Sequence, residues 1–184
     1  MIFVPEFWHL EEEAQRLRYA NHDNTPENTG YARMLGQFVD QLRPIAPPPC
    51  RVLDIGCGPN QVLVSLLRKA GYDAYGQDPL YGISPLESAP YDAIVSTETI
   101  EHFSNPRLEF DRMVGLLRGG GVIAITTHFH HGPSAIHDWW YARDLTHISF
   151  YSRATMSWIA QHFGFEQLDC DIENLCAMRR QESP

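Results

Sequence analysis

The 184-residue chain predicts an α/β fold, a doubly wound and mostly parallel sheet with one antiparallel strand. Three observations predict it. From Arg51 onward, short apolar runs of strand character alternate with helical patterns, the order that builds βαβ units. The first run, Arg51-Val52-Leu53-Asp54-Ile55, breaks into Gly56-Cys57-Gly58-Pro59-Asn60, a turn whose backbone can approach a ligand with no Cβ in the way. At the far end, Phe165–Ile172 and Asn174–Met178 read as a hairpin, which sets one strand against the rest.

The elements follow in order. Pro5 opens a first helix with Phe7, Leu10, Ala14 and Leu17 on a 3–4–3 stripe and with Glu11, Glu12 and Glu13 on its solvated face. His22-Asp23-Asn24-Thr25-Pro26 is a loop in which Thr25 caps a second helix, whose face carries Tyr31, Leu35, Phe38 and Leu42 and which ends before Pro44. Residues 1–46 read as an N-terminal helical segment, and Pro47-Pro48-Pro49 is a stiff linker to a core spanning 50–180. Val52, Leu53 and Ile55 suit a strand buried on both faces. After the glycine turn comes a helix with Val62, Leu63, Leu66, Leu67 and Ala70 on one face, stopped by Gly71.

The next strand ends at Asp78, and only Pro79 to Pro90 precede the strand Tyr91–Ser96. That is too short for a helix and an edge strand, so the third (edge) strand of the doubly wound plan is expected to be deleted. Asn105 and Pro106 begin a helix as cap and first residue, with Leu108, Val114 and Leu117 apolar. Gly119-Gly120-Gly121 turn the chain into strand Val122–Thr126. A long aromatic-rich connection, Phe129–Tyr151, follows, and connections of that length in a compact domain are usually functional. Ser152 caps a last helix with Met156, Ile159, Ala160 and Phe163, stopped by Gly164.

Composition sets outer bounds. The chain is long enough for one domain, 1–184, with a real core. A net charge of −9 argues against a broad nucleic-acid footprint and against an anionic membrane surface. No apolar run approaches the ~20 residues that span a bilayer. Cys50, Cys57, Cys170 and Cys176 show neither a disulfide framework nor a CxxC pair and read as reduced thiols of a cytoplasmic protein.

A strand, a glycine turn and a helix N-terminus make a nucleotide cradle. A dinucleotide fingerprint wants a third glycine where Gln61 stands, so NAD fits poorly. The acid two residues before the first glycine suits an ammonium and a sulfonium better than a pyrophosphate. Asp54-Ile55-Gly56-Cys57-Gly58 resembles the first motif of class I S-adenosylmethionine (SAM) methyltransferases, with Asn60 in place of that pattern's third glycine. The later strand and helix order is similar to theirs across roughly residues 50–180, and the overall look is that of short bacterial members. The resemblance implies a Rossmann-like fold and SAM as cofactor. Asp54, Gly56, Cys57 and Gly58 would lie at its amino-acid end. Asp78, 24 residues after Asp54, would take the ribose hydroxyls, and Pro79, Leu80 or Tyr81 would flank the adenine, with Thr97 closing the next strand. It also implies the N-terminal lid, where Tyr19, His22 and Tyr31 are candidate lining residues.

The second unusual stretch is Glu98-Thr99-Ile100-Glu101-His102. On one helical turn Glu98 would reach Glu101 and His102, and two carboxylates beside an imidazole call for a cation. Glu-x-x-Glu-His with a later histidine, His147, is similar to the metal site of the small-RNA 2′-O-methyltransferases, and in part to the ubiquinone-pathway O-methyltransferases. That resemblance implies metal ligands Glu98, Glu101, His102 and His147 and a divalent ion (Mg²⁺, Mn²⁺, Fe²⁺ or Zn²⁺) that polarises an acceptor hydroxyl. The remainder of the RNA enzymes' histidine motif is replaced by Asp144-Leu145-Thr146, which points to a small-molecule acceptor instead. Without metal, Glu101 and His102 would fix the loop, and His102 or His147 would act as base with Asp144 orienting His147. Trp139, Trp140 and Tyr141 either wall the acceptor pocket or cover the sheet. His128, His130, His131 and His137 form either a rival metal site or a polar loop. A SAM-binding module without turnover and an NAD-linked oxidoreductase are the competing functions.

Overall fold

The computed structural model describes residues 1–21, 23–84, 90–170 and 173–182. His22, part of the predicted adenine loop and Ile172 lie outside the described residues. The elements are β1 (Ile2–Phe3), α1 (Glu12–Tyr19), α2 (Thr29–Leu42), β2 (Arg51–Ile55), α3 (Val62–Lys69), β3 (Asp73–Gln77), β4 (Tyr91–Thr97), α4 (Pro106–Leu116), β5 (Leu117–Thr126), β6 (Ser149–Phe150), α5 (Arg153–His162), β7 (Phe165–Leu168) and β8 (Leu175–Arg180).

The main sheet runs β3-β2-β4-β5-β8-β7. β2, β3, β4 and β5 are mutually parallel, while β8 is antiparallel to both β5 and β7. One strand of the six is therefore reversed, as the C-terminal hairpin predicts. Among the described residues β3 has β2 as its sole sheet partner, so the sheet starts where the missing edge strand would have joined it.

Alternation along the buried strands sorts side chains to two faces. Val52, Ala93, Val95, Val122 and Ala124 pack under α2 and α3, against Leu35, Phe38, Leu42, Leu63 and Leu67. Leu53, Ile94, Ile123 and Ile125 pack on the other face against Phe110 and Met113 of α4 and Met156, Ile159 and Ala160 of α5. Helix starts obey local chemistry. The Asn105 side chain accepts from Leu108 N with Pro106 at the first position, and Ser152 and Thr155 form a reciprocal capping box.

Four local expectations are corrected. The stripe Phe7-Leu10-Ala14-Leu17 does not form one helix: a 3-10 turn covers Glu6–Trp8, α1 starts at Glu12, and Phe7 and Leu17 are 81% and 66% exposed. This segment is fastened instead by β1 pairing with β6 and by polar contacts of α1 described below. The second helix is capped by Asn28, whose side chain accepts from Gly30 N and Tyr31 N, rather than by Thr25. Gly119-Gly120-Gly121 is no turn but a bulge inside the continuous strand β5, with Gly120 at φ 70°. In α4 the buried residues are Pro106, Phe110 and Met113, while Leu108 faces solvent.

Among the described residues no helix is long and apolar enough to cross a membrane. None of the four cysteines is in a disulfide.

Candidate active site

A cavity of about 1070 Å³ opens at the carboxyl ends of β2, β3 and β4, lined there by Ile55, Gln77 and Thr97. Its two sides are built differently.

The first side is the turn after β2. Gly56 has φ 80°, and a Cβ there would sit 2.2 Å from Thr99 Oγ1, so the position is closed to any other residue. Gly58, at φ 63°, faces open space. Its N–H donates to Asp78 Oδ2 at 3.0 Å, and Leu80 N–H donates to Asp78 Oδ1 at 3.1 Å. Asp78 thus fixes both the glycine turn and the segment Pro79–Tyr81. Gln61 opens α3 in the left-handed region at φ 46°. Asn60, standing where a third glycine was expected, donates through its side-chain amide to Asn24 O at 3.0 Å and ties the turn to the N-terminal segment.

Gly56, Cys57, Gly58, Asp78, Pro79, Leu80 and Thr97 line the cavity, as do Tyr19, Tyr31 and Tyr81. Asp54 does not reach the wall. It is buried beneath the turn at 1% exposure with Oδ1 unpartnered, and burial, with Asp78 nearby, pushes its carboxyl up to about 8. Desolvation disfavours the charged form of a buried acid. A cation in the cavity would shift that balance back.

The second side follows β4. Glu98 is in the left-handed region at φ 48°, and the chain then makes a 3-10 turn over Ile100–His102. The single helical turn expected to gather all three side chains is therefore absent, and Glu98 diverges from the other two. Glu101 is fully buried; its Oε2 accepts from Thr127 Oγ1 at 3.0 Å, and its Oε1 has no hydrogen-bond partner. Burial first, then the charge of Glu98, raise its pKa. His102 Nε2 lies 3.9 Å from that orphaned Oε1.

His147 comes in from the long connection, its ring centroid 4.8 Å from that of His102. Both imidazoles are oriented alike. His102 Nδ1 is 2.8 Å from Thr146 O, and His147 Nδ1 is 2.7 Å from Tyr141 O. A carbonyl only accepts, so Nδ1 carries the hydrogen on both rings, and Nε2 is the basic nitrogen of each neutral ring. This is the outer-shell arrangement that holds histidines for a metal.

Ligand-capable atoms of Glu101, His102 and His147 lie within 4.8 Å of one another, and among the described residues no other such trio occurs. Two imidazoles, one carboxylate and an unpartnered buried carboxylate oxygen fit a borderline divalent ion such as Zn²⁺, Fe²⁺ or Mn²⁺ better than Mg²⁺. Glu98, the fourth expected ligand, lies outside this trio. Its Oε2 accepts from the Tyr141 hydroxyl at 3.1 Å and is 3.9 Å from His128 Nε2. The histidines of the 128–137 stretch do not gather into a ligand set among the described residues.

Asp144 holds a different place from the one expected of a histidine orienter. Its carboxylate takes Arg18 Nη2 at 2.8 Å, Thr146 N at 3.0 Å and Thr146 Oγ1 at 2.7 Å. Burial pushes its pKa up, but the hydrogen bonds from Arg18 and Thr146 outweigh that and hold it well below the ordinary carboxylate range. The group at His147 Nδ1 is the Tyr141 carbonyl. Arg18 and Thr127 carried no sequence signal, since their partners are remote in the chain.

A family model described as "Methyltransferase domain" matches residues 28–169. No curated protein matches. Solved structures do. The SAH-bound magnesium protoporphyrin IX methyltransferase of Synechocystis PCC 6803 superposes with TM-score 0.61 at 15% identity, covering 92% of this chain and 94% of that one. The 1,6-didemethyltoxoflavin-N1-methyltransferase of Burkholderia thailandensis, with its substrate and S-adenosylhomocysteine bound, gives TM-score 0.59 at 12% identity, covering 93% and 84%. A SAM-dependent methyltransferase from Archaeoglobus fulgidus gives 0.55 at 20%, covering 73% and 69%. These likenesses are likenesses of fold. With the family match over residues 28–169 and the glycine turn already described, the chain belongs to the methyltransferase-domain family and is a class I SAM-dependent enzyme.

Proposed function

We propose that this enzyme transfers the methyl group of SAM to a hydroxyl oxygen of a small-molecule acceptor. The observation that carries the reading is that the Glu101–His102–His147 cluster opens on the same cavity as the glycine turn. At about 1070 Å³ the cavity is at the upper end of ordinary ligand pockets, which suits a cofactor and an acceptor together.

In this reading Gly56, Cys57 and Gly58 take the amino-acid end of SAM above the buried Asp54, which acts on it through its charge alone, Asp78 takes the ribose, and Pro79 and Leu80 the adenine, while Thr97 ends the strand beneath the methyl. Trp140 and Tyr141 flank the acceptor. The enzyme's main work is alignment of oxygen, methyl and sulfur, which removes much of the entropic barrier. The O–C bond forms as the S–C bond breaks, and without metal the hydroxyl proton passes to His102 or His147 at Nε2, whose tautomer the carbonyls of Thr146 and Tyr141 fix. Where a divalent ion is bound, Glu101, His102 and His147 would hold it, with Glu98 held apart by the Tyr141 hydroxyl on its Oε2. Such an ion would lower the pKa of the acceptor hydroxyl. Four cysteines outside any disulfide and the acidic balance fit a cytoplasmic setting and an acceptor that is not nucleic acid.

The test is calorimetry with S-adenosylhomocysteine, followed by methyl-¹³C SAM with a panel of phenols, alcohols and amines. Glu101→Ala and His147→Ala should lower transfer by about 10²–10⁴ and leave S-adenosylhomocysteine affinity within about threefold. Normal turnover in both variants would overturn these roles. Transfer to amines alone would overturn O-methylation. Firm cofactor binding with no transfer to any acceptor would favour a binding module, and NADH affinity without SAM affinity an oxidoreductase.

A further inference from the structure

Tyr141 is fastened at both ends to the cluster just described. It is 3% exposed. Its hydroxyl donates to Glu98 Oε2 at 3.1 Å and lies 3.2 Å from Thr127 Oγ1, which in turn donates to Glu101 Oε2 at 3.0 Å. Its carbonyl accepts from His147 Nδ1 at 2.7 Å, and its ring lies 4.2 Å from the His147 ring. One residue thus touches or relays to Glu98, Glu101 and His147. These three come from two separate stretches of chain, the turn after β4 and the connection after β5.

We infer that Tyr141, acting with Thr127, is the positioning residue that sets the geometry of the reacting cluster. The inference rests on the reading of that cluster as the acceptor-activating centre. Packing alone would be satisfied by phenylalanine. A buried hydroxyl has to find partners, and here the partners are a carboxylate and a second buried hydroxyl rather than solvent. Glu101 sharpens the point. Its Oε2 accepts from Thr127, while Oε1 has no partner. The Thr127 residue is itself 0% exposed, and its hydroxyl oxygen lies 3.2 Å from that of Tyr141. Without Thr127 the buried carboxylate loses a hydrogen bond that solvent cannot replace. The backbone carbonyl of the same tyrosine selects the tautomer of His147, so one side chain and its own main chain set a carboxylate and an imidazole together.

Two conservative variants separate the hydroxyl from the ring and the carbonyl. Tyr141→Phe keeps both of the latter, and Thr127→Val keeps the volume. Each is crystallised with S-adenosylhomocysteine, titrated with Mn²⁺ by electron paramagnetic resonance, and assayed on whichever acceptor the wild type methylates. The expected result is displacement of the Glu98 carboxylate in Tyr141→Phe and of the Glu101 carboxylate in Thr127→Val. Mn²⁺ affinity and kcat should each fall about 10- to 100-fold, with KM for SAM unchanged. The double variant should lose about as much as the two single losses combined, since each hydroxyl has one hydrogen and gives it to a different carboxylate. Carboxylates that stay within about 0.5 Å of their places, with kcat within about twofold, would overturn the inference. A wild type that binds no Mn²⁺ removes the metal from the reading above, and the carboxylate positions and kcat still decide Tyr141. Altered KM for SAM with kcat intact would also overturn it, since that would mean a role in cofactor binding.

Discussion

The two sides of the cavity are assembled by opposite means. The side we assign to the cofactor is nearly continuous in the chain: Asp54 through Gln61 supply the turn, and Asp78 braces it by accepting from Gly58 N–H and Leu80 N–H. The side we assign to the acceptor is a meeting of strangers. Glu101 after β4, Thr127 after β5 and Tyr141, Asp144 and His147 in the long connection are brought together by the sheet, and Arg18 reaches them from the N-terminal helix. A side built from one backbone stretch is stiff and generic, and suits a cofactor that never changes. A side built from distant loops can be altered residue by residue without disturbing the sheet, which suits an acceptor that differs between enzymes of one fold.

The sharpest way to break that division is Gly56→Ala, because Gly56 is where the sides touch. The added Cβ would fall 2.2 Å from Thr99 Oγ1, and φ 80° is itself unfavourable for alanine. Left-handed strain and overpacking together come to about 3 kcal/mol, or roughly 100-fold in cofactor affinity if the strain is released on that side. Calorimetry with S-adenosylhomocysteine measures it. Thr99 belongs to the turn that carries Glu101, so transfer should fall further than affinity does. An equal loss in both would mean that the two sides are independent.

The same division explains what could be read in the residues alone. The strand–turn–helix around Gly56, the Asn105-Pro106 start of α4, the Ser152 cap and the short span after Asp78 are local facts, and the fold bears them out. Pattern misled where no partner face existed. Phe7, Leu10, Ala14 and Leu17 have helical spacing, but this segment is secured through the backbone pairing of Ile2–Phe3 with Ser149–Phe150, and the stripe has no core to enter. It misled again at Glu98, where a helical spacing was assumed across a residue whose φ of 48° takes it out of the turn. The pairing of Asp144 with Arg18 was invisible in principle. The two are 126 residues apart, and no periodicity links them.

A second effect, of intermediate size, belongs to the cofactor side. Asp54 is pushed up to about 8 in the folded protein, against about 3.9 for an exposed aspartate. Between those values the folded state keeps a proton that the unfolded chain has lost. Stability of the cofactor-free protein should therefore fall as pH rises from about 4 to about 8 and level off above, by at most about 1.4 kcal/mol per unit. A bound sulfonium and ammonium favour the ionised acid, so SAM affinity should climb over the upper part of that window, by no more than about tenfold per unit. Urea unfolding and calorimetry between about pH 6 and 8 read both slopes. Asp54→Asn should flatten them, and slopes that persist in that variant would assign the titration to another group.

The smallest expected effect decides how the acceptor side is fastened to the N-terminal helix. The Arg18–Asp144 pair is 2.8 Å long, but the arginine is 45% exposed, so its contribution to stability should stay under about 1 kcal/mol. Asp144 has a second task. It holds Thr146 through the backbone N–H and the hydroxyl, and the Thr146 carbonyl accepts from His102 Nδ1. Asp144→Asn keeps an acceptor for Thr146 and loses the charge for Arg18, whereas Asp144→Ala loses both. If the Arg18 contact and the Thr146 contact of Asp144 act separately, Asp144→Asn and Arg18→Gln should raise the acceptor KM alike, by a few-fold, and their double variant should show a coupling of about 0.5 kcal/mol or more. Asp144→Ala alone should also lower kcat, because His102 then loses the carbonyl that fixes its tautomer. A kcat loss in Asp144→Asn that Arg18→Gln does not share would instead restore Asp144 as a direct orienter of His147.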